Sequence, residues 1–229
     1  DLEPLLDKAL SNGKDVEMME RGVLAYGIAR AADMLSSEYH LVNTNVPYLK
    51  RGNQSQKIKE YISNSYPKSK RDLATAFAER GFSFSAVGGI FATVLPQSGL
   101  FLQSYEKWRK MMLRCRNWKL LARLGKGAFE TISGEVVNVI LAVFNNQRPT
   151  DDQDSIAGID VSESDSPKRK SQHLVDRHVS ILRQSSQLQN PDSRVLFVEL
   201  EDKDLLRDYS TAYEGLTVGD LDRFTRYFW

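Results

Sequence analysis

The sequence predicts an α/β fold, an alternation of strands and helices on a largely parallel sheet covering roughly residues 1–148. Two observations predict it: short runs of β-branched and aromatic residues alternate with helical stretches, and the strand runs end in turns marked by Asn, Pro or Gly. No internal repeat or low-complexity tract breaks the pattern.

From Asp15 to Ser37, Met18, Met19, Val23, Leu24, Tyr26, Ile28, Ala31 and Leu35 recur at helical spacing, predicting an amphipathic helix that covers a sheet face. Tyr39–Thr44 reads as a short strand, with Asn45–Tyr48 as the turn at its carboxyl end, where ligands sit in open α/β sheets. Helices are expected over Gln56–Ser63 and Lys70–Glu79, separated at Tyr66-Pro67 because proline disfavours helix in the residue before it. After a turn at Gly88-Gly89, Ile90–Leu95 is apolar enough for a central strand. A helix over Gln103–Arg114, a strand near Trp118–Leu124, a loop at Gly125-Lys126-Gly127 and a strong strand over Val136–Phe144 complete the domain.

Polar composition from Gln147 to Ser155 marks a linker, so residues 149–212 are expected to form a polar loop and a mixed helix and strand region. Ser166-Pro167 has the form of a helix start, continued through Leu174, Val175, His178 and Leu182, and Val195–Leu200 reads as a late strand. Gly215–Asp220 carries the turn residues of a domain junction, so residues 213–229 are expected to open a further domain. With Asp1 first and an aromatic run last, both ends read as cuts.

The 229 residues are 41% hydrophobic and carry 31 Lys and Arg against 30 Asp and Glu, so no overall field gathers polyanions and any nucleic-acid contact must be local. The single Cys115 excludes an internal disulfide and reads as a packed thiol, and no apolar run is long enough to span a membrane. A cytoplasmic protein is expected. His40, His173 and His178 lack metal-ligand spacing, no Ser-His-Asp pattern is present, and Gly125-Lys126-Gly127 is too sparse for a phosphate loop. The basic run Lys168-Arg169-Lys170 reads as a solvated helix face, with a phosphate track as the alternative.

Asn45-Val46-Pro47-Tyr48 resembles the Asn/Asp-Pro-Pro-Tyr/Phe motif of amino-group methyltransferases that use S-adenosylmethionine, with Val46 where the family has its first proline. Downstream, Lys57–Tyr61, Tyr66, Asp72-Leu73, Ala76-Phe77, Glu79-Arg80, Leu95–Ser98, Phe101-Leu102 and Gly127–Glu130 follow in order. Ile132–Val139, Gly215–Thr217, Arg223-Phe224 and Tyr227–Trp229 then continue the series. That series is similar to adenine-specific methyltransferases of fused restriction systems, and above all to PglX-type enzymes of BREX phage defence.

The resemblance implies the C-terminal portion of a Rossmann-like S-adenosylmethionine-dependent methyltransferase domain, acting on double-stranded DNA with a flipped adenine alongside possible defence-system subunits. The adenine amine is a poor nucleophile because its lone pair is delocalised into the ring. Acceptance of its two hydrogens by the Asn45 carboxamide and the Val46 carbonyl would localise that pair. Tyr48 and Phe129 would hold the two faces of the base, with Gly127 in the loop beside it. Phe77 stands where related enzymes place an aromatic near the cofactor, and Asp72 is either a pocket carboxylate or an N-terminal helix charge. The same motif serves methyltransferases acting on protein glutamine and some on RNA, which is one alternative; losing proline at Val46 frees φ and adds an N–H, which leaves a degenerate domain that binds DNA or partner subunits as a second. The glycine-rich cofactor loop is expected before residue 1, so this stretch alone is expected to be inactive.

Overall fold

The computed structural model describes residues 16–128, 137–150 and 154–198, together with 4 and 209–211. Asp1–Val198 form one compact unit and Glu199–Trp229 a second, and the six strands all belong to the first. The expected junction at Gly215–Asp220, the aromatic end at Arg223–Trp229, and Phe129 lie outside the described residues.

Helix α1 (Val16–Ser36) leads into β1 (Tyr39–Asn45), followed by α2 (Gln56–Ser65), α3 (Leu73–Phe82) and β2 (Ser85–Pro96). A short α4 (Ser98–Phe101) and α5 (Glu106–Cys115) precede β3 (Asn117–Gly125) and β4 (Val139–Asn145). Then come β5 (Ser155–Asp160), α6 (Pro167–Asp176), β6 (Ser180–Arg183) and α7 (Gln184–Gln189). The six strands pair in the order β1-β2-β4-β3-β5-β6.

The sheet is mixed. β1 pairs parallel with β2 and β3 with β5, whereas β4 runs antiparallel to both β2 and β3, and β6 antiparallel to β5. The largely parallel arrangement expected from the sequence is corrected here: β4 lies antiparallel between β2 and β3, and an apolar strand pattern reads the same in either direction. The sheet also does not stop at residue 148, because β5 and β6 extend it and Ile156, Leu182 and Val195 join the main core.

Local chemistry fixes the helix starts. The Ser55 hydroxyl accepts from the Ile58 amide to open α2, the Asp72 carboxylate accepts from the Ala74 amide to open α3, and Ser166 with Pro167 at the first turn opens α6. The long helix expected through Leu182 ends at Asp176 instead, and Leu182 is a buried residue of β6. Gly88-Gly89 is no turn but lies inside β2, with Gly88 at φ 77°, next to the register shift between Tyr39 and Leu41. A Cβ on Gly89 would stand 2.9 Å from the Ala86 carbonyl oxygen, so this irregularity needs glycine. No strand forms over Val195–Val198; Val195 is a buried coil residue.

The core lies between the sheet and α3 and α5. Phe82, Phe91, Phe144 and Trp118 pack edge to face around it, with ring centroids 4.8 Å apart for Phe82–Phe91 and 5.0 Å for Trp118–Phe144. Gly81 is forced by this packing, since a Cβ there would lie 2.4 Å from the Phe91 ring. Helix α1 forms where expected but does not cover a sheet face among the described residues. Met19, Val23, Leu24, Ile28 and Leu35 are 51–66% exposed, because its apolar residues are spread around the helix rather than gathered on one stripe.

Candidate functional site

Strand directions decide where the site forms. β1, β2, β3 and β5 point the same way, so Asn45–Tyr48, Pro96–Ser98, Gly125–Gly127 and Val161-Ser162 all emerge at one sheet edge, and β4 begins there at Val139. The Gln97 amide donates to the Asn138 carbonyl at 2.8 Å, joining the β2 turn to the residues that lead into β4. A cleft of about 660 Å³ opens at this edge. Tyr48, Asp72, Gln97, Ser98, Tyr105 and Asn138 are among its lining residues.

Asn45 closes β1 opposite Val94 and is exposed, and its carboxamide has no hydrogen-bond partner among the described residues. Val46 is 4% exposed and belongs to the main core. Outside the strand ladders, no donor among the described residues meets the Val46 carbonyl. The turn therefore presents two unengaged acceptors at the strand end, anchored by one buried side chain.

Tyr48 packs its ring against both apolar clusters, and its hydroxyl is buried with no hydrogen-bond partner among the described residues. Burial, followed by the negative charge of Asp72, pushes its pKa up to about 12. Tyr105 is raised for the same reasons in the same order. Asp72 is buried; one carboxylate oxygen accepts from the Ala74 amide at 2.9 Å and from the Leu49 amide at 3.3 Å. Of the two roles the sequence left open for it, the helix charge is visible, and the same carboxylate also borders the cleft.

Phe77 sits on α3 with 43% of its surface exposed and does not line the cleft. Gly127 is exposed at φ 63°, in open space that leaves its loop unhindered. Tyr48 and Asp72 thus share the cleft, whereas Asn45 and Val46 stand at the end of β1 on the same sheet edge without lining it, and Phe129 lies outside the described residues. For S-adenosylmethionine the fit is partial: Phe77 offers an exposed ring, but the Asp72 carboxylate already serves two backbone amides.

Further side chains shape the surroundings of the site. The Gln97 side chain, 7% exposed, accepts from Arg123 Nη2 at 2.9 Å and Nε at 2.8 Å, and Arg123 also pairs with Asp160 at 3.0 Å. That chain of contacts fixes the turn after β2. Lys50, Arg51 and Arg71 line the cleft; the cue was present in the basic pairs Lys50-Arg51 and Lys70-Arg71, which directly follow the motif and directly precede Asp72. Lys170 departs from the solvated face and the phosphate track alike. It is 3% exposed and donates to the carbonyls of Leu124 at 2.7 Å, Ser164 at 2.5 Å and Val161 at 3.4 Å, holding together the carboxyl ends of β3 and β5. No group of three or more potential metal ligands occurs among the described residues.

The Eco57I restriction-modification methylase family matches residues 7–129, more than half of the chain. The chain belongs to that family. Among curated proteins, the chain is 30% identical over 217 residues to the adenine-specific methyltransferase PglX of Lacticaseibacillus casei (strain Zhang), covering 87% of this chain and 18% of that protein. It is 33% identical over 132 residues to the adenine-specific methyltransferase BrxX of Escherichia coli O9:H4 (strain HS), covering 58% of this chain and 11% of that protein. The chain thus spans under a fifth of the length of these relatives. In fold, the chain resembles a nuclease-deletion mutant of the Type ISP restriction-modification enzyme LlaGI solved with a DNA substrate mimic. The TM-score is 0.55 at 12% identity, over 74% of this chain and 19% of that one. The expected methyltransferase fold is therefore present, with a mixed sheet. No helix among the described residues is long and apolar enough to cross a membrane.

Proposed function

We propose that the intact protein transfers a methyl group from S-adenosylmethionine to the exocyclic amine of an adenine flipped out of duplex DNA, within a restriction-modification or phage-defence system. The observation that carries this reading is the pair of unengaged acceptors, the Asn45 carboxamide and the Val46 carbonyl, at the strand-end turn of a chain belonging to a restriction-modification methylase family. The family membership and the adenine-specific relatives support a DNA base as the acceptor over RNA or protein glutamine.

In this reading Asn45 and Val46 each accept one amine hydrogen, so the nitrogen lone pair is directed away from the ring plane. The cofactor supplies an electrophilic sulfonium methyl. Held in this way, the amine nitrogen would be presented to that methyl, and its surplus proton would be free to leave to solvent. Tyr48 lies against one face of the base, and Phe129 with the Gly127 loop is assigned the other. Phe77 is assigned to the cofactor side by its exposed ring. Asp72 acts there through the Leu49 amide, fixing the backbone just after Tyr48.

The test is methyl transfer from radiolabelled S-adenosylmethionine to DNA by the intact protein and its Asn45→Ala variant. Turnover is expected to fall at least about a hundredfold, the scale of losing one transition-state donor or acceptor, with DNA binding largely spared. Unchanged turnover in the variant refutes the assignment. Transfer to RNA or to a protein, but not to DNA, moves the function to that substrate.

A further inference from the structure

Beside the strand-end turn, the chain folds back on itself in a way that concentrates positive charge. Lys50 and Asp72 are partners in an antiparallel bridge, and the flanking backbone bonds run from the Arg51 amide to the Arg71 carbonyl at 3.0 Å and from the Leu73 amide to the Leu49 carbonyl at 3.0 Å. The bridge therefore places Arg51 and Arg71 opposite one another. Like charges placed directly across such a pair are destabilising.

Neither guanidinium is offset by an acid. Arg51 donates through Nη1 to the Ser63 hydroxyl at 3.1 Å, and neither Arg51 nor Arg71 forms an ion pair with a carboxylate among the described residues. Of the residues lining the cleft, Lys50, Arg51 and Arg71 are basic and Asp72 alone is acidic, its carboxylate already bonded to two backbone amides. Neutral donors complete the same wall: Asn53, Ser98 and Ser104 line it too. The chain's formal charge is only +1, so this is a local concentration within a nearly neutral protein.

A wall of forked cations and neutral donors, set directly after the base-binding turn, matches the phosphodiesters that flank an extruded nucleotide. We infer that Arg51 and Arg71 hold the DNA backbone phosphates next to the flipped adenine, with Lys50 as a further point charge. This rests on the adenine reading above and adds to it the contacts that keep the extruded strand at the cleft. The bridge explains why the two arginines are held in opposition: the anion that binds there removes their repulsion.

The experiment measures binding of the intact protein to a fluorescein-labelled duplex of random sequence across a salt series, for wild type, the double variant Arg51→Gln/Arg71→Gln, and the charge-preserving Arg51→Lys/Arg71→Lys. Each phosphate neutralised contributes about 0.9 to the slope of log affinity against log salt, so the glutamine variant is expected to lose about 1.8 from it, and about tenfold or more in affinity at low salt. The lysine variant is expected to keep most of the slope. A slope unchanged in the glutamine variant overturns the inference even if methyl transfer to DNA is intact. Equal loss of affinity at every salt concentration, with no change in slope, overturns it in favour of a structural role. Wild-type protein that neither binds nor methylates DNA overturns the adenine reading itself, which is a separate result.

Discussion

Replacing Tyr48 with Phe separates what the ring does from what the hydroxyl does. The hydroxyl is buried and meets no hydrogen-bond partner among the described residues, while the ring is packed between the two apolar clusters. A buried polar group without a partner costs about 1–3 kcal/mol, so Tyr48→Phe is expected to stabilise the fold by about 1 kcal/mol, the lower end, because the residue is only half-buried. For a protein of this size that corresponds to a rise in Tm of about 2–4 °C. There is a pH signature as well. With the folded phenol shifted up to about 12 from an ordinary value of 10, the unfolded chain ionises first, so the wild type loses stability as pH climbs from about 10 towards 12. The difference between variant and wild type should therefore widen over that window and stay flat below it. Urea denaturation followed by tryptophan fluorescence, at neutral pH and between pH 10 and 12, measures both effects. Methyl transfer should survive in Tyr48→Phe and fall in Tyr48→Ala, since a ring face is what stacks on a base, at about 1–3 kcal/mol. A less stable Tyr48→Phe protein with no widening above pH 10 would mean that the hydroxyl is hydrogen-bonded, and the reasoning would fail.

Two further substitutions test what holds the edge in shape. Asp72→Ala removes the cap of α3 and the acceptor of the Leu49 amide together, and is expected to destabilise the fold by about 1–2 kcal/mol in chemical denaturation, with Asp72→Asn recovering part of it. Arg109→Met should be worse, losing about 3 kcal/mol or more. The Arg109 guanidinium is fully buried and donates to the carbonyls of Gly99, Leu102, Asp192 and Ser193, all of which would be left unpaired, and its burial lowers its pKa to about 10. Because Asp192 and Ser193 sit at positive φ, 54° and 52°, limited proteolysis of the Arg109→Met protein is expected to cut first around that turn.

The sequence exposed those parts of the fold whose chemistry is local. β1, α2 and α3 were legible because Ser55 and Asp72 are strong caps and because the apolar periods change from strand-like to helical around them. Strand direction was not legible in the periodicity, which is the same for parallel and antiparallel strands. Leu182 shows a second way to be misled, since its spacing of four from His178 fits a helix, yet it is the buried member of the short β6. Lys170 shows a third: a lysine in a basic run looks like a surface charge until the carbonyls of Leu124, Val161 and Ser164 converge on it. At the candidate site, Asn45 and Tyr48 could be found by motif because their roles depend on residue type. Arg51 and Arg71 take theirs from a pairing between segments distant in sequence, which no local pattern records.

Val46 shows how a departure from a family motif can be compatible with the same geometry. Proline at that position would supply a fixed φ and remove an N–H. Valine does neither, but its side chain is 4% exposed and belongs to the cluster that includes Leu95 and Ile140, so packing takes over part of the restraint that a ring would impose. The group needed for the proposed chemistry is the backbone carbonyl, which both residues possess. The turn is therefore held from its buried side by valine, and the acceptor that the proposed chemistry needs does not depend on a proline at that position.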